Sequence, residues 1–236
     1  MSDGRTSRTN SAEEECIGVV MTAIDDMDLI LKTMANTIVD NTVYFSELDQ
    51  VVGDGDFGYS LRSGFEVVQA DLETFDHSSI GALLKKVGFV ISGKVGGSSG
   101  PIWGTAFLRA AKEAGDRTEV THEEVIAILQ AAVTGIMDRG GASLGEKTLL
   151  DALVPAVATL EQGLARPGAT ADHGIEALQA AADAATAAAE ATKPMLAMRG
   201  RAAYTGERSI GSVDAGATAV GVILQSISEA WRAAHA

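Results

Sequence analysis

Three aspartates fall within eight residues, Asp49, Asp54 and Asp56, and three glycines are threaded among them as Gly53-Asp54-Gly55-Asp56-Phe57-Gly58. The nearest downstream basic residue is Arg62, so nothing local in sequence neutralises the charge. Crowded carboxylates repel, and burying them unpaired is costly. The segment is therefore either a solvated acidic turn or a seat for a hard, oxygen-seeking cation such as Mg²⁺ or Ca²⁺. It matches the spelling G-x-G-x-x-G, but a dinucleotide-binding turn needs a strand before it and a βαβ unit around it, and none is legible here. An EF-hand is excluded because the closing Glu of the loop is missing.

Three further glycine-rich stretches carry polar groups. Gly96-Gly97-Ser98-Ser99-Gly100 precedes a helix start, where free N–H groups favour an anion. Gly140-Gly141-Ala142-Ser143-Leu144-Gly145-Glu146-Lys147-Thr148 is a near miss of a P-loop, with Glu146 where the lysine would stand; its N–H groups are expected to cradle phosphate or simply to open a helix. Gly200-Arg201-Ala202-Ala203-Tyr204-Thr205-Gly206-Glu207-Arg208-Ser209 offers arginines, whose planar fork suits phosphate oxygens. Asp214, just beyond, is placed to cap the last helix. The four histidines, His77, His122, His173 and His235, lie outside these loops and form no metal-ligand or nucleophile pattern.

The elements that must position these loops read as helices. Apolar residues recur at steps of three and four from Glu13 to Asn41 (Ile17, Val20, Met21, Ile24, Met27, Leu31, Met34, Ile38). Further helices are expected over 58–73, from a cap at Asp76 or Ser78 to about Ile91, from Pro101 to Ala114, from a Thr121/Glu124 capping box onward, over 147–164 with Pro155 inside, over the alanine-rich 170–192, and over 217–233. This predicts an all-α fold, an eight-helix antiparallel up-and-down bundle or barrel. The glycine loops fall at every second junction, so an up-and-down arrangement gathers all four at one end. Residues 1–12 are expected to be a disordered tail and 13–236 a single domain.

Composition agrees. The chain has 236 residues, is 46% hydrophobic and carries a net charge of −14, which disfavours nucleic acid and anionic membrane as partners. A lone cysteine, Cys16, permits no internal disulfide. No apolar run approaches the roughly 18 residues that span a bilayer, and the N-terminus lacks an apolar signal core. A cytoplasmic location is the expectation. Three carboxylates, anion-friendly loops and arginines at one end of a bundle suit Mg²⁺-nucleotide binding and phosphoryl transfer.

The loops resemble those of the L, or nucleotide-binding, subunit of dihydroxyacetone kinases. The marks are Asp49-x4-Asp54-Gly-Asp56, Gly96-Gly97-Ser98-Ser99-Gly100, Gly145-Glu146-Lys147-Thr148 continuing to Pro155, and Gly200 to Ser209. The resemblance implies an eight-helix antiparallel barrel with the nucleotide, ATP or ADP, at one end. It implies that Asp49, Asp54 and Asp56 hold two Mg²⁺ ions and that these residues, with Arg201, do the catalytic work. Phe57, Gly58, Tyr59, Ser60, Ser98, Ser99, Gly140, Leu149 or Leu150, Arg201 and Asp214 would surround the nucleotide. The implied partners are a separate ketose-binding K subunit, a phosphotransferase-system phosphocarrier and a second copy of the chain. Phe57 replaces the family's usual histidine, Tyr59-Ser60 a small polar pair, and Ala215 a frequent proline, and a different ketose, such as a four-carbon one, would fit the change at Phe57. Two other functions use the same residues: a regulatory protein that binds nucleotide without transferring phosphate, and a bundle that a cation merely stabilises.

Overall fold

The computed structural model describes residues 21–22, 24–165 and 171–235. The expected tail at 1–12 lies outside them, as do Cys16, Ile17 and Val20. The described residues form nine α-helices: α1 (Ile24–Asp40), α2 (Thr42–Gln50), α3 (Phe57–Asp71), α4 (Ile80–Lys94), α5 (Ser99–Ala114), α6 (His122–Gly140), α7 (Leu150–Leu164), α8 (Ala171–Glu190) and α9 (Ala215–His235). Eight of them make a closed ring. α1 packs on α3, each helix then packs on the next in chain order, and α9 returns to α1. The expected eight-helix barrel is therefore present, and α2 is an additional short helix lying against α3 and α9 at one mouth.

The ring closes around apolar stripes. Leu31 and Ile38 of α1, Phe65 and Val68 of α3, Val87 and Ile91 of α4, Trp103 of α5, Ala152 and Ala156 of α7, Ala181 and Ala185 of α8, and Ile223 and Ile227 of α9 share one buried core. Small side chains let helices approach closely: Ala177, Ala181, Ala182, Ala185 and Ala189 of α8 are all buried. A Cβ on Gly163 of α7 would stand 2.5 Å from that of Ala177.

Several local features differ from expectation. The first expected helix, Glu13 to Asn41, ends as read, at Asp40, but Met21–Thr22 is a strand and a second helix, α2, follows directly after Asn41, which takes φ −97°, ψ 15°. The Asn41 amide donates to Thr37 O at 2.8 Å and the Thr42 hydroxyl to Val39 O at 2.7 Å, so polar side chains compete for carbonyls at the junction. The cap of α4 is Ser79, which accepts from Ala82 N at 3.1 Å, while Asp76 accepts from Ser78 N instead. The sixth expected helix starts at Leu150 rather than Lys147, because Gly145 and Lys147 adopt positive φ. Two strands of two residues, β1 (Met21–Thr22) and β2 (Glu119–Val120), pair antiparallel with Met21 opposite Val120. The Thr121/Glu124 capping box forms as expected.

The two mouths differ in content. The mouth away from the glycine loops carries the β1–β2 pair, His77 beside Asp28 at 3.0 Å and His235 beside Asp26 at 3.0 Å. These histidines tie chain segments together. The junctions α2/α3, α4/α5, α6/α7 and α8/α9 all open at the opposite mouth.

Candidate nucleotide and cation site

Asp49 sits in the last turn of α2, Asp54 in the following loop and Asp56 immediately before α3. Glycine permits the crowding. Gly55 takes φ +74°, and its N–H donates to Asp49 Oδ2 at 2.9 Å. A Cβ on Gly53 would meet Asp49 Oδ1 at 2.2 Å. One oxygen from each of the three carboxylates lies within 4.8 Å of the others. Burial pushes the Asp49 carboxyl up and the nearby charges of Asp54 and Asp56 add to it, against the pull of the Gly55 and Phe57 N–H groups. Asp54 and Asp56 keep about half of their side chains exposed, 46% and 49%.

Arg201 reaches across from the α8/α9 junction. Its Nη1 stands 2.5 Å from Asp54 Oδ1 and 3.0 Å from Asp56 Oδ1. The Asp56 hydrogen bond and the charges of both carboxylates hold the guanidinium above its ordinary pKa. The cluster thus already accommodates a cationic group between two of its members. Its donors are all carboxylate oxygens, so the set fits a hard divalent ion and not a thiolate- or imidazole-preferring metal.

The remaining expected residues are distributed around the same mouth. Phe57 opens α3 and turns its ring toward Phe45, with centroids 6.3 Å apart. Tyr59 is exposed, while Ser60 is half-buried, its Oγ 3.4 Å from where a Cβ on Gly96 would stand. Ser98 and Ser99 sit at the start of α5, and the Ser98 side chain makes no capping hydrogen bond. Gly140 ends α6, where an added Cβ would meet Ile102 Cδ1 at 3.1 Å. Of the two candidate leucines, Leu150 is completely buried in a cluster with Ile136 and Ala142, so Leu149, half-buried at the helix start, is the one with surface to offer. Asp214 caps α9, accepting from Ala217 N at 2.7 Å. Burial pushes its carboxyl up to about 7, with Asp151 adding and Ala217 N–H and Lys147 opposing.

Gly58 has a packing reason of its own. A Cβ there would fall 2.0 Å from Thr42 O and 2.7 Å from Ser46 Oγ, so its missing side chain is what lets α3 lie against α2. Gly58→Ala is expected to cost about 2 kcal/mol, since overpacking against backbone outweighs the ~1 kcal/mol gain in helix propensity. Thermal unfolding should show a fall of about 4–8 °C; an unchanged midpoint would mean α2 moves aside freely.

The segment 140–148 leads into α7, and part of its backbone is satisfied internally. Three of its N–H groups are taken by the chain's own carboxylates: Ser143 N donates to Glu146 Oε2 at 2.8 Å, Gly145 N to Asp151 Oδ1 at 2.5 Å and Thr148 N to Asp151 Oδ2 at 2.7 Å. These three bonds close the turn on itself just before α7. Lys147, absent from the expected site, is buried at φ +60° and donates to backbone carbonyls of the 195–212 loop. The sequence carried no signal for this beyond the neighbouring glycines. A cavity of about 480 Å³ lies in the groove of α4, α5 and α6, by Ser92, Thr105, Arg109 and Arg139, and none of the three carboxylates lines it. At the carboxylates themselves the side chains of Asp54, Asp56 and Arg201 stay about half exposed.

With this geometry in place, comparison with known proteins is informative. A family model described as the DAK2 domain matches residues 51–229. The PEP-dependent dihydroxyacetone kinase ADP-binding subunit DhaL of Escherichia coli (strain K12) is 39% identical over 189 residues, 78% of this chain and 86% of that protein. The corresponding subunit of kinase 2 from Listeria innocua is 36% identical over 207 residues, 85% and 94% of the two chains. Among solved structures, the dihydroxyacetone kinase of C. freundii in complex with AMP-PNP and Mg²⁺ superposes with a TM-score of 0.67 at 25% identity. It covers 97% of this chain, which spans 38% of that kinase. In the barrel, in the loops at its mouth and in sequence over most of its length, this chain belongs to the DAK2 domain family.

Proposed function

We propose that the chain is the nucleotide-binding, phosphoryl-donor subunit of a dihydroxyacetone or related short-chain ketose kinase, built on a single helical domain. The observation that carries the reading is the three-carboxylate cluster beneath Arg201, at the mouth where four glycine-rich junctions meet. Asp49, Asp54 and Asp56 would hold Mg²⁺, two ions in the fullest version, and the metal supplies neutralisation of the nucleotide's phosphate charge. The first turns of α3 and α5, at Gly58, Tyr59, Ser98 and Ser99, present N–H and hydroxyl donors to phosphate. Gly140 and Leu149 border the nucleotide, and Arg201 is the mobile positive charge. Phosphoryl transfer needs little covalent chemistry from protein; it needs placement and charge stabilisation, and this mouth offers both.

In this reading the ketose sits on a separate K subunit in the cytoplasm. The relatives' names, "PEP-dependent" and "ADP-binding", support the version in which ADP stays bound and is rephosphorylated in place by a phosphotransferase-system phosphocarrier. The test begins with the nucleotide that co-purifies with the chain and its exchange with free ATP. At 100-fold saturation, Mg²⁺ and ADP together should stabilise by about 2.7 kcal/mol, a rise of about 5–10 °C in the unfolding midpoint. An equal shift with ADP in EDTA would overturn the reading. A shift with Mg²⁺ alone and none on adding ADP would leave a cation-stabilised bundle instead.

A further inference from the structure

Among the described residues, Lys147 is the one non-glycine with positive φ. Its side chain is buried at 3% exposure, and burial lowers its pKa. An ammonium has three protons to donate. All three are matched: Nζ donates to Met195 O at 3.2 Å, to Ser212 O at 2.7 Å and to Ser209 O. No proton is left to reach a ligand, so a phosphate-binding lysine is the wrong description. The three acceptors belong to a single loop, on both sides of its tip.

Glu146 grips the same loop from the outside. Its carboxylate accepts from Arg199 Nε at 2.7 Å and Nη2 at 2.9 Å, and its carbonyl accepts from Met198 N at 3.1 Å. Met195, Met198 and Arg199 lie on the outgoing limb and Ser209 and Ser212 on the returning one. The limbs are also joined to each other, Ala197 N donating to Ser209 Oγ at 3.0 Å. The turn that bears Glu146 and Lys147 is in turn fixed by Asp151, through the N–H groups of Gly145 and Thr148. Arg201 stands two residues beyond Arg199, and the tip past it is open to solvent, with Tyr204 at 91% exposure. Gly200 and Gly206, at φ +63° and +58°, flank this tip.

We propose that Lys147 and Glu146 are positioning residues that hold both limbs of the 195–212 loop and so place Arg201 over the three-aspartate mouth. Lysine's compact ammonium suits three converging carbonyls in a way that a planar guanidinium does not. The strain of a left-handed lysine is offset by the three carbonyl hydrogen bonds that its ammonium makes. The proposal rests on the reading of Arg201 as a nucleotide-binding group, and its first test does not.

That test is amide hydrogen exchange on Lys147→Met without nucleotide. Exchange should rise by about tenfold or more within 195–212 and stay unchanged in α4 and α5. A rise spread through the helices would mean a general structural role, and no rise in the loop would mean no grip; either overturns the proposal. The second measurement is Mg²⁺-dependent ADP affinity by calorimetry in four chains: wild type, Lys147→Met, Arg201→Ala and the double variant. Lys147→Met should weaken ADP about tenfold in the wild-type background and less than about twofold when Arg201 is already alanine, because the lysine acts through the arginine. Equal losses in both backgrounds would refute that route. Should Lys147→Met fail to fold, Glu146→Gln releases Arg199 at the surface; its expected loss of about threefold must likewise vanish in the Arg201→Ala background, and no loss at all counts against the proposal. A wild-type chain that binds no ADP refutes the functional reading above, while the exchange pattern still decides the positioning.

Discussion

Asp54→Ala is expected to abolish Mg²⁺-dependent ADP binding and to leave the barrel standing. Asp54 is the cleanest of the three carboxylates to remove. It is half exposed and its one described polar contact is Arg201, so no buried donor is orphaned. Asp49 differs, because its Oδ2 satisfies Gly55 N within a half-buried turn, and Asp49→Ala would mix a folding defect with a binding defect. Loss of one charged ligand from a three-carboxylate set should weaken ADP affinity in Mg²⁺ by about 100-fold, bringing it to the value found in EDTA. Helical circular dichroism should be unchanged and the midpoint of unfolding should stay within about 2 °C, as for a surface substitution. Asp54→Asn keeps an oxygen but not the charge and belongs between the two. Calorimetric titration of ADP with and without Mg²⁺ decides it: affinity within about threefold of wild type would show that the cation, and with it the phosphates, sit elsewhere.

The features that make this test worth doing were unevenly legible in the sequence. The barrel followed from apolar residues at steps of three and four, a long-range pattern that local detail does not blur. The gathering of the loops followed from topology, since alternate junctions of an up-and-down ring share a mouth. What the sequence hid were pairings between residues that its spacing does not relate. The segment Gly140 to Thr148 looks like a phosphate cradle because glycines expose N–H groups, but whether those groups are free depends on Asp151 and Glu146 folding back onto them. That same closure moves the start of α7 by three residues and leaves Leu150 fully buried and Leu149 half-buried. α2 was missed because the expected helix already ended at Asn41 and the nine residues Thr42–Gln50 bury only Thr42, Phe45 and Ser46, too short a stripe to read as a helix. Phe57, the most visible departure from the family's pattern, has a structural partner in Phe45 and no polar contact to offer phosphate.

Removing the Arg201 side chain should move two affinities in opposite directions. Its guanidinium lies between Asp54 and Asp56, on two of the three carboxylates that a divalent ion would use. A metal ion and a hydrogen-bonded guanidinium cannot saturate the same oxygens, so a cation binding there must first displace Arg201. In Arg201→Ala that competition is gone. Mg²⁺ or Mn²⁺ titrated without nucleotide should bind about threefold more tightly, a modest gain because exposed ion pairs are weak and screened. The displaced guanidinium is then free for phosphate oxygens, where a bidentate fork is worth more than a point charge. ADP in saturating Mg²⁺ should therefore bind about tenfold more weakly to the alanine variant, with Arg201→Lys in between. Raising salt should shrink the metal gain toward zero while most of the nucleotide loss remains, since the first arises from an exposed pair and the second from a ligand-covered one. A parallel fall of both affinities would mean that Arg201 supports the carboxylate loop rather than competing with the ion, and unchanged affinities would mean that its contact with Asp54 and Asp56 has no part in ligand binding.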